Sequence, residues 1–305
     1  VTGILLILAL SAQPADTGRE MAMIDVHEWG VLTVDDCGAV LAAAPDQPSM
    51  IPEDPYPLVE RAPVVYFYGP PFSGRFTVTV PGGAVTETWP SPTATADLGW
   101  TWSILSAGWE ELDSVNPLIV DIVSGWEAAP WRVPQSMTLR IGDASYEKFI
   151  FYEAGIDDIS FLPLRAVDGE PVVADGWDSL PVALVFSTGG DPRVVECTAG
   201  DLECPVRLCR DLVTSGPADL REILYGWSVD LVDIDEVDAL WATWRNWFFG
   251  EGLPSEGSGG CLALYPLPPE LAGLVSVIEL TPEPAYQVRY GRYLICAMEL
   301  DLGSD

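Results

Sequence analysis

The sequence predicts a mainly β, sandwich-like protein with a helical hairpin and returning C-terminal strands, and three observations carry that expectation. Short runs of β-branched and aromatic residues recur between Gly, Pro and Asp turn signals. Apolar and polar residues alternate with period two in Phe76–Val80 and Ala84–Trp89. Near 217–249 the apolar residues switch to a helical period.

Met23–Val34 has strand-prone residues on both sides of His27-Glu28-Trp29-Gly30 and ends at an Asp-Asp-Cys-Gly turn, so it reads as the first strand. Ala42–Pro57 reads as an irregular loop rich in Pro and Asp, and Pro63–Tyr68 as a strand stopped by Gly69-Pro70-Pro71. The turn Pro81-Gly82-Gly83 predicts that Phe76–Val80 and Ala84–Trp89 form a hairpin with one apolar face. Ser91–Pro134 carries Trp100, Trp102, Trp109, Trp126 and Trp131 without a persistent period and reads as strands and loops. Strands follow at Lys148–Tyr152 and Pro181–Phe186, with a second hairpin, Phe161–Val167 and Glu170–Val173, turning at Asp168-Gly169.

Pro217 suits the first position of a helix running through Leu224. In the next helix Val237, Leu240, Trp241, Trp244, Trp247 and Phe248 fall on one stripe, so it needs an apolar partner surface. Asp233 and Glu236 have the spacing of a capping box, and Gly250, Gly252 and Pro254 end the helix. Cys261–Tyr265 then reads as a buried strand, and Leu274–Leu280 and Tyr286–Leu300 as two more. The expected organisation is a leader over 1–22, a sandwich-like body over 23–212, and the hairpin with its returning strands over 213–305, within the same domain if those strands pair with the body.

Forty-six acidic against fourteen basic residues give a net charge of −32, and Lys148 is the only lysine. Such a chain cannot track phosphates, so nucleic acid is excluded as a partner, and anionic lipid headgroups would repel it. Ile4–Leu10, followed by Ser11, Ala12 and Gln13-Pro14, reads as the core and cleavage region of a signal peptide whose basic start is not in the sequence. No later stretch is apolar enough to span a bilayer, so a secreted or periplasmic protein is expected, and not an integral membrane protein. Six cysteines fit that oxidising setting. Disulfides are expected within the group Cys197, Cys204 and Cys209, and between Cys261 and Cys296.

Read together, His27-Glu28-Trp29-Gly30, Pro63–Tyr68, Val80–Gly83 leading to Thr88-Trp89-Pro90, and Glu147–Tyr152 resemble a family of uncharacterised secreted bacterial proteins. The resemblance continues through Thr243-Trp244, Trp247-Phe248, Glu251-Gly252, Pro282–Pro284, Val288-Arg289 and Gly291-Arg292, and so covers most of the chain. The chain departs at Gly250, where similar sequences tend to carry Glu, and at Glu153, where Arg is common. The resemblance implies secretion and supplies no activity.

His27 is the only histidine, which excludes a multi-histidine zinc site and leaves any Ser-His or Cys-His system to be built around it. Strand alternation sends His27 and Trp29 to one face and Glu28 to the other, so His27 and Glu28 do not form a local dyad. Glu28 and Glu251 are the candidate catalytic acids, as in glycoside hydrolysis. Asp230, Asp233, Asp235, Glu236 and Asp238 lack the spacing of a calcium loop and are read as helix-capping, so neither metal nor cofactor is expected. Candidate binding residues are His27, Trp29, Trp100, Trp102, Arg289 and Arg292, with an extracellular glycan or an envelope protein as partner. Arg292 shares a strand face with Val288 and is expected to be the more buried arginine, paired with an Asp or Glu of the helical hairpin or of its Gly-Glu-Gly stop, Glu251 first among them. A non-catalytic binding or structural role is the expected function, with a carboxylate-dependent glycan hydrolase as the alternative.

Overall fold

The computed structural model describes residues 22–35, 38–42, 63–96, 99–110, 129–142, 145–188, 191–203, 217–250, 252–254 and 260–301. The leader segment, Trp126, Cys37, Cys204, Cys209 and Glu251 lie outside them. In chain order the first strands are β1 (Met23–Asp35), β2 (Gly38–Ala42), β3 (Val64–Tyr68), β4 (Phe72–Thr79), β5 (Gly83–Trp89), β6 (Ala94–Ala96) and β7 (Gly99–Gly108). Next come β8 (Thr138–Ile141), β9 (Ser145–Glu147), β10 (Ile150–Ile156), β11 (Leu164–Val167), β12 (Glu170–Val173), β13 (Pro181–Thr188) and β14 (Asp191–Thr198). Helices α1 (Pro217–Ser228) and α2 (Ile234–Phe248) precede β15 (Gly260–Pro266), the short α3 (Ala272–Val275), β16 (Val277–Glu283) and β17 (Gln287–Asp301).

The fold is mainly β, with two open sheets and a helical pair. Nine strands form one sheet in the order β14-β13-β15-β17-β1-β2-β10-β3, with β5 beside β10. Six form the other, β16-β4-β7-β8-β9 with β6 beside β7. The strands after residue 213 build no sheet of their own: β17 runs parallel to β1, β15 joins β17 to β13, and β16 pairs with β4.

Period-two alternation explains why the larger sheet is covered on both sides. Along β1, Ile24, Val26, Leu32 and Val34 enter the core shared with Phe76, Val78 and Trp102 of the smaller sheet. Trp29 and Val31 enter a second core with Leu220, Leu224, Val237, Leu240, Trp244 and Phe248 of the helices. The layers are therefore helices, nine-stranded sheet and six-stranded sheet. A strand packed on both faces must be apolar almost throughout, and Glu28–Leu32 is buried without interruption.

The helical stripe is narrower than its spacing suggests. Val237, Leu240, Trp244 and Phe248 are fully buried, whereas Trp241 and Trp247 flank them half-buried. Trp244 stacks on Phe248 at 5.8 Å and meets Trp247 edge-on at 5.2 Å. Among the hydrogen bonds that fasten the helical layer, Tyr293 Oη donates to the Leu224 carbonyl at 2.8 Å, and Trp131 Nε1 to Thr243 Oγ1 at 3.0 Å.

Two expected features are corrected here. Phe76–Val80 and Ala84–Trp89 do not form a hairpin, because β4 pairs with β16 and β7 in the smaller sheet and β5 pairs with β10 in the larger. The Pro-Gly-Gly turn carries the chain across the core, and Val85 still packs against the cluster that holds Phe76 and Val78. Alternation is satisfied equally by an arch between sheets and by a hairpin within one. The second hairpin does form: Asp168 and Gly169 take φ of 51° and 82°, and β11 pairs with β12 across them.

The second correction concerns the bridge expected between Cys261 and Cys296; of the group Cys197, Cys204 and Cys209 only Cys197 is described. Among the described residues no disulfide forms, and Cys197, Cys261 and Cys296 are buried thiols. β15 and β17 pair as expected, but Cys296 lies opposite Tyr265 and Cys261 opposite Leu300. Four residues of strand separate the two sulfurs by roughly 13 Å, against a Cα limit of about 7 Å for a bridge. Burial pushes the thiols of Cys197 and Cys296 up to about 12, so both stay protonated.

Candidate functional site

The adjacent residues His27 and Glu28 leave β1 on opposite faces, and each organises a polar cluster. On the helix-facing side, His27 lies beside Tyr68 of β3, with ring centroids 4.9 Å apart. Asp230 takes the left-handed conformation (φ 66°) in the connection after α1, and Leu231 N–H donates to the Ser228 carbonyl at 2.9 Å. The chain then enters α2 at Asp233. Glu236, at the third helical position, accepts the Asp233 N–H at 2.9 Å through Oε2, which is half of the capping box expected from the sequence.

That cap brings a carboxylate to the histidine. His27 Nδ1 lies 3.2 Å from both Glu236 oxygens, and Tyr68 Oη donates to Oε1. Glu236 is fully buried and Asp233 exposed, so the cluster runs from the core to the surface. Burial pushes the imidazolium down. The hydrogen bond to Glu236 and the charges of Glu236, Asp233 and Asp25 outweigh it, so the His27 pKa stands above its ordinary value. Donor atoms of His27, Asp233 and Glu236 all lie within 4.8 Å of one another, the separation of groups able to share one cation.

The connection that carries Asp233 is seated by a glycine. A Cβ on Gly291 would stand 1.8 Å from the Leu231 carbonyl oxygen and 3.2 Å from His27 Cδ2. Gly291→Ala is therefore expected to lift the α1–α2 connection from β17 and cost about 1–3 kcal/mol by overpacking. Urea denaturation measures it, and an unchanged midpoint would refute this close approach.

On the other face, Glu28 enters the space between the sheets. It is fully buried and paired with Arg292, whose side chain is 11% exposed. Tyr152 Oη donates to the second carboxylate oxygen and lies 2.7 Å from Ser276 Oγ. Arg292 also donates to the Ser276 carbonyl at 2.7 Å and to its hydroxyl at 2.6 Å. Burial and the Glu28 charge hold the Tyr152 hydroxyl far above its usual range. The parallel register of β1 and β17 sets Glu28 opposite Arg292 and Asp25 opposite Arg289.

Arg292 is the more buried arginine, as expected, but the described acid it pairs with is Glu28 of β1 and not one of the helical hairpin, while Glu251 lies outside the described residues. Arg289 is 67% exposed and bonds Asp25 at 2.7 Å. Trp29 and Trp102 offer no face to a ligand: both are fully buried, and Trp102 Nε1 donates to the Pro90 carbonyl at 2.7 Å. Trp100 is half-buried against the core between the sheets. The other buried glutamates are likewise engaged. Arg132 grips Glu147 through two nitrogens at 3.1 and 3.2 Å, with Trp89 Nε1 at 3.3 Å, and Thr86 donates to Glu153.

Residue-type reasoning finds His27 but misses its partners, because Asp233 and Glu236 look like helix caps and stand more than two hundred positions away. The missed signal is that a capping glutamate on the buried face of a helix must meet something polar there. No family model, curated protein or solved structure matches the chain.

Proposed function

We propose that the protein is a non-catalytic binding or structural component of the bacterial envelope or exterior. One observation carries this reading: Glu28, Glu147, Glu153 and Glu236, the buried glutamates among the described residues, are all committed to hydrogen bonds or ion pairs within the fold. Glycoside hydrolysis needs two carboxyl groups facing each other across a sugar, about 5–10 Å apart with room for the substrate between them. Glu28 is fully buried between the two sheets and bonded to Arg292 and Tyr152, so it does not line an open cleft. The net charge of −32 further supports contact with cations or basic surfaces over polyanions. The signal-like leader and the resemblance to secreted proteins support the location.

The reading is tested by a glycan array together with a hydrolase screen of the purified chain, with Glu28→Gln and Glu251→Gln alongside. Binding without turnover is the expected result. Hydrolysis by the parent chain that either variant abolishes would replace this proposal with the hydrolase.

A further inference from the structure

We propose that His27, Asp233 and Glu236 form a binding site for a divalent first-row transition ion of the zinc type. This inference stands apart from the binding role proposed above and does not depend on it. His27 comes from the central strand of the larger sheet and the two acids from the first turn of α2, so the trio exists only in the folded chain.

Geometry is the first argument. Metal bonds of about 2.0–2.2 Å in tetrahedral or octahedral arrangement place neighbouring donors roughly 3.0–3.5 Å apart. His27 Nδ1 and the Glu236 oxygens are 3.2 Å apart, and the Asp233 carboxylate, within 4.8 Å of them on an exposed side chain, completes the group by a side-chain rotation. An ion there would take the place of the proton held between His27 and Glu236. Three protein ligands leave at least one coordination position for water or for an anionic group of a bound molecule.

Charge is the second argument. Two carboxylates face one imidazole, and the positive end of α2 offsets only about half a unit of their charge. Asp25, a further acid whose charge acts on His27, already has Arg289. The local deficit therefore calls for a cation. Support around the ligands is the third: Tyr68 Oη donates to Glu236, and the Asp233 N–H holds its other oxygen. Such outer contacts orient ligating carboxylates in metal sites. The imidazole nitrogen selects a zinc-type ion over calcium, which prefers oxygen donors alone.

Isothermal titration of the purified chain with zinc chloride in about 150 mM salt, where diffuse binding to the acidic surface is screened, tests the site. One saturable equivalent is expected. His27→Gln and Asp233→Asn should each weaken it on the order of 100-fold, and Tyr68→Phe about 10-fold. Asn is itself a good N-cap, so Asp233→Asn keeps α2, and its melting temperature without zinc should match the parent. Asp238→Asn, which removes an acid paired with Arg221, should bind zinc as the parent does. X-ray absorption of the zinc-loaded chain should show one imidazole among oxygen ligands. The proposal is overturned by no saturable zinc binding, by several weak equivalents, by equal loss in Asp238→Asn, or by undiminished affinity in folded Asp233→Asn.

Discussion

Replacing Arg292 by Met is expected to cost about 3–5 kcal/mol of folding stability, because it strands the fully buried Glu28 carboxylate between the sheets. Arg292 supplies Glu28 with its counter-charge and ties Ser276 to the same cluster through two further bonds. Arg289→Met, three residues earlier on the same strand, should leave the melting midpoint unchanged, since its partner contact is exposed to solvent and salt. The double variant Glu28→Leu/Arg292→Met should recover much of the loss, because an apolar pair needs no compensation. Tyr152 Oη would then keep Ser276 Oγ, 2.7 Å away. Urea denaturation of the parent, Glu28→Leu, Arg292→Met and the double variant gives the coupling directly. A neutral Arg292→Met with a strongly destabilised Arg289→Met would reverse the faces of β17 and with them its register against β1.

Trp244→Ala is expected to cost about 3–5 kcal/mol, the range for emptying a buried large aromatic site. Trp244 is fully buried: it lies in the core between α2 and the larger sheet, in the cluster that holds Val237, Leu240, Phe248 and Tyr293. Trp241→Ala should cost clearly less, since that ring is half-buried at the edge of the stripe. Thermal and urea unfolding followed by circular dichroism measures both. A loss for Trp244→Ala below about 1 kcal/mol would mean that α2 is not docked on the sheet.

Local pattern was sufficient for much of the fold. The positions of β1, β3, β13, β15 and β17, the hairpin at Asp168-Gly169 and the two helices follow from periodicity and turn chemistry, both of which act over a few residues. The opposite orientations of His27 and Glu28, the greater burial of Arg292 and the cap at Asp233 follow for the same reason. Each depends on the chain's own geometry, and that geometry is written into neighbouring residues.

Partnership was not legible in that way. An apolar strand face looks the same whether its neighbour lies beside it or across the core, so β4 and β5 read as a hairpin although they belong to different sheets. Buried acids show the same limit: Glu28 finds Arg292 and His27 finds Glu236 only because β17 lies parallel to β1 and the α1–α2 connection sits against Gly291. Those contacts join residues separated by 264 and 209 positions. Side-chain type established that each charge needed a partner, since an unpaired buried charge is too costly to survive. Which partner it took was decided by the tertiary arrangement, because only closure of the sheets and docking of the helices bring those groups within bonding distance.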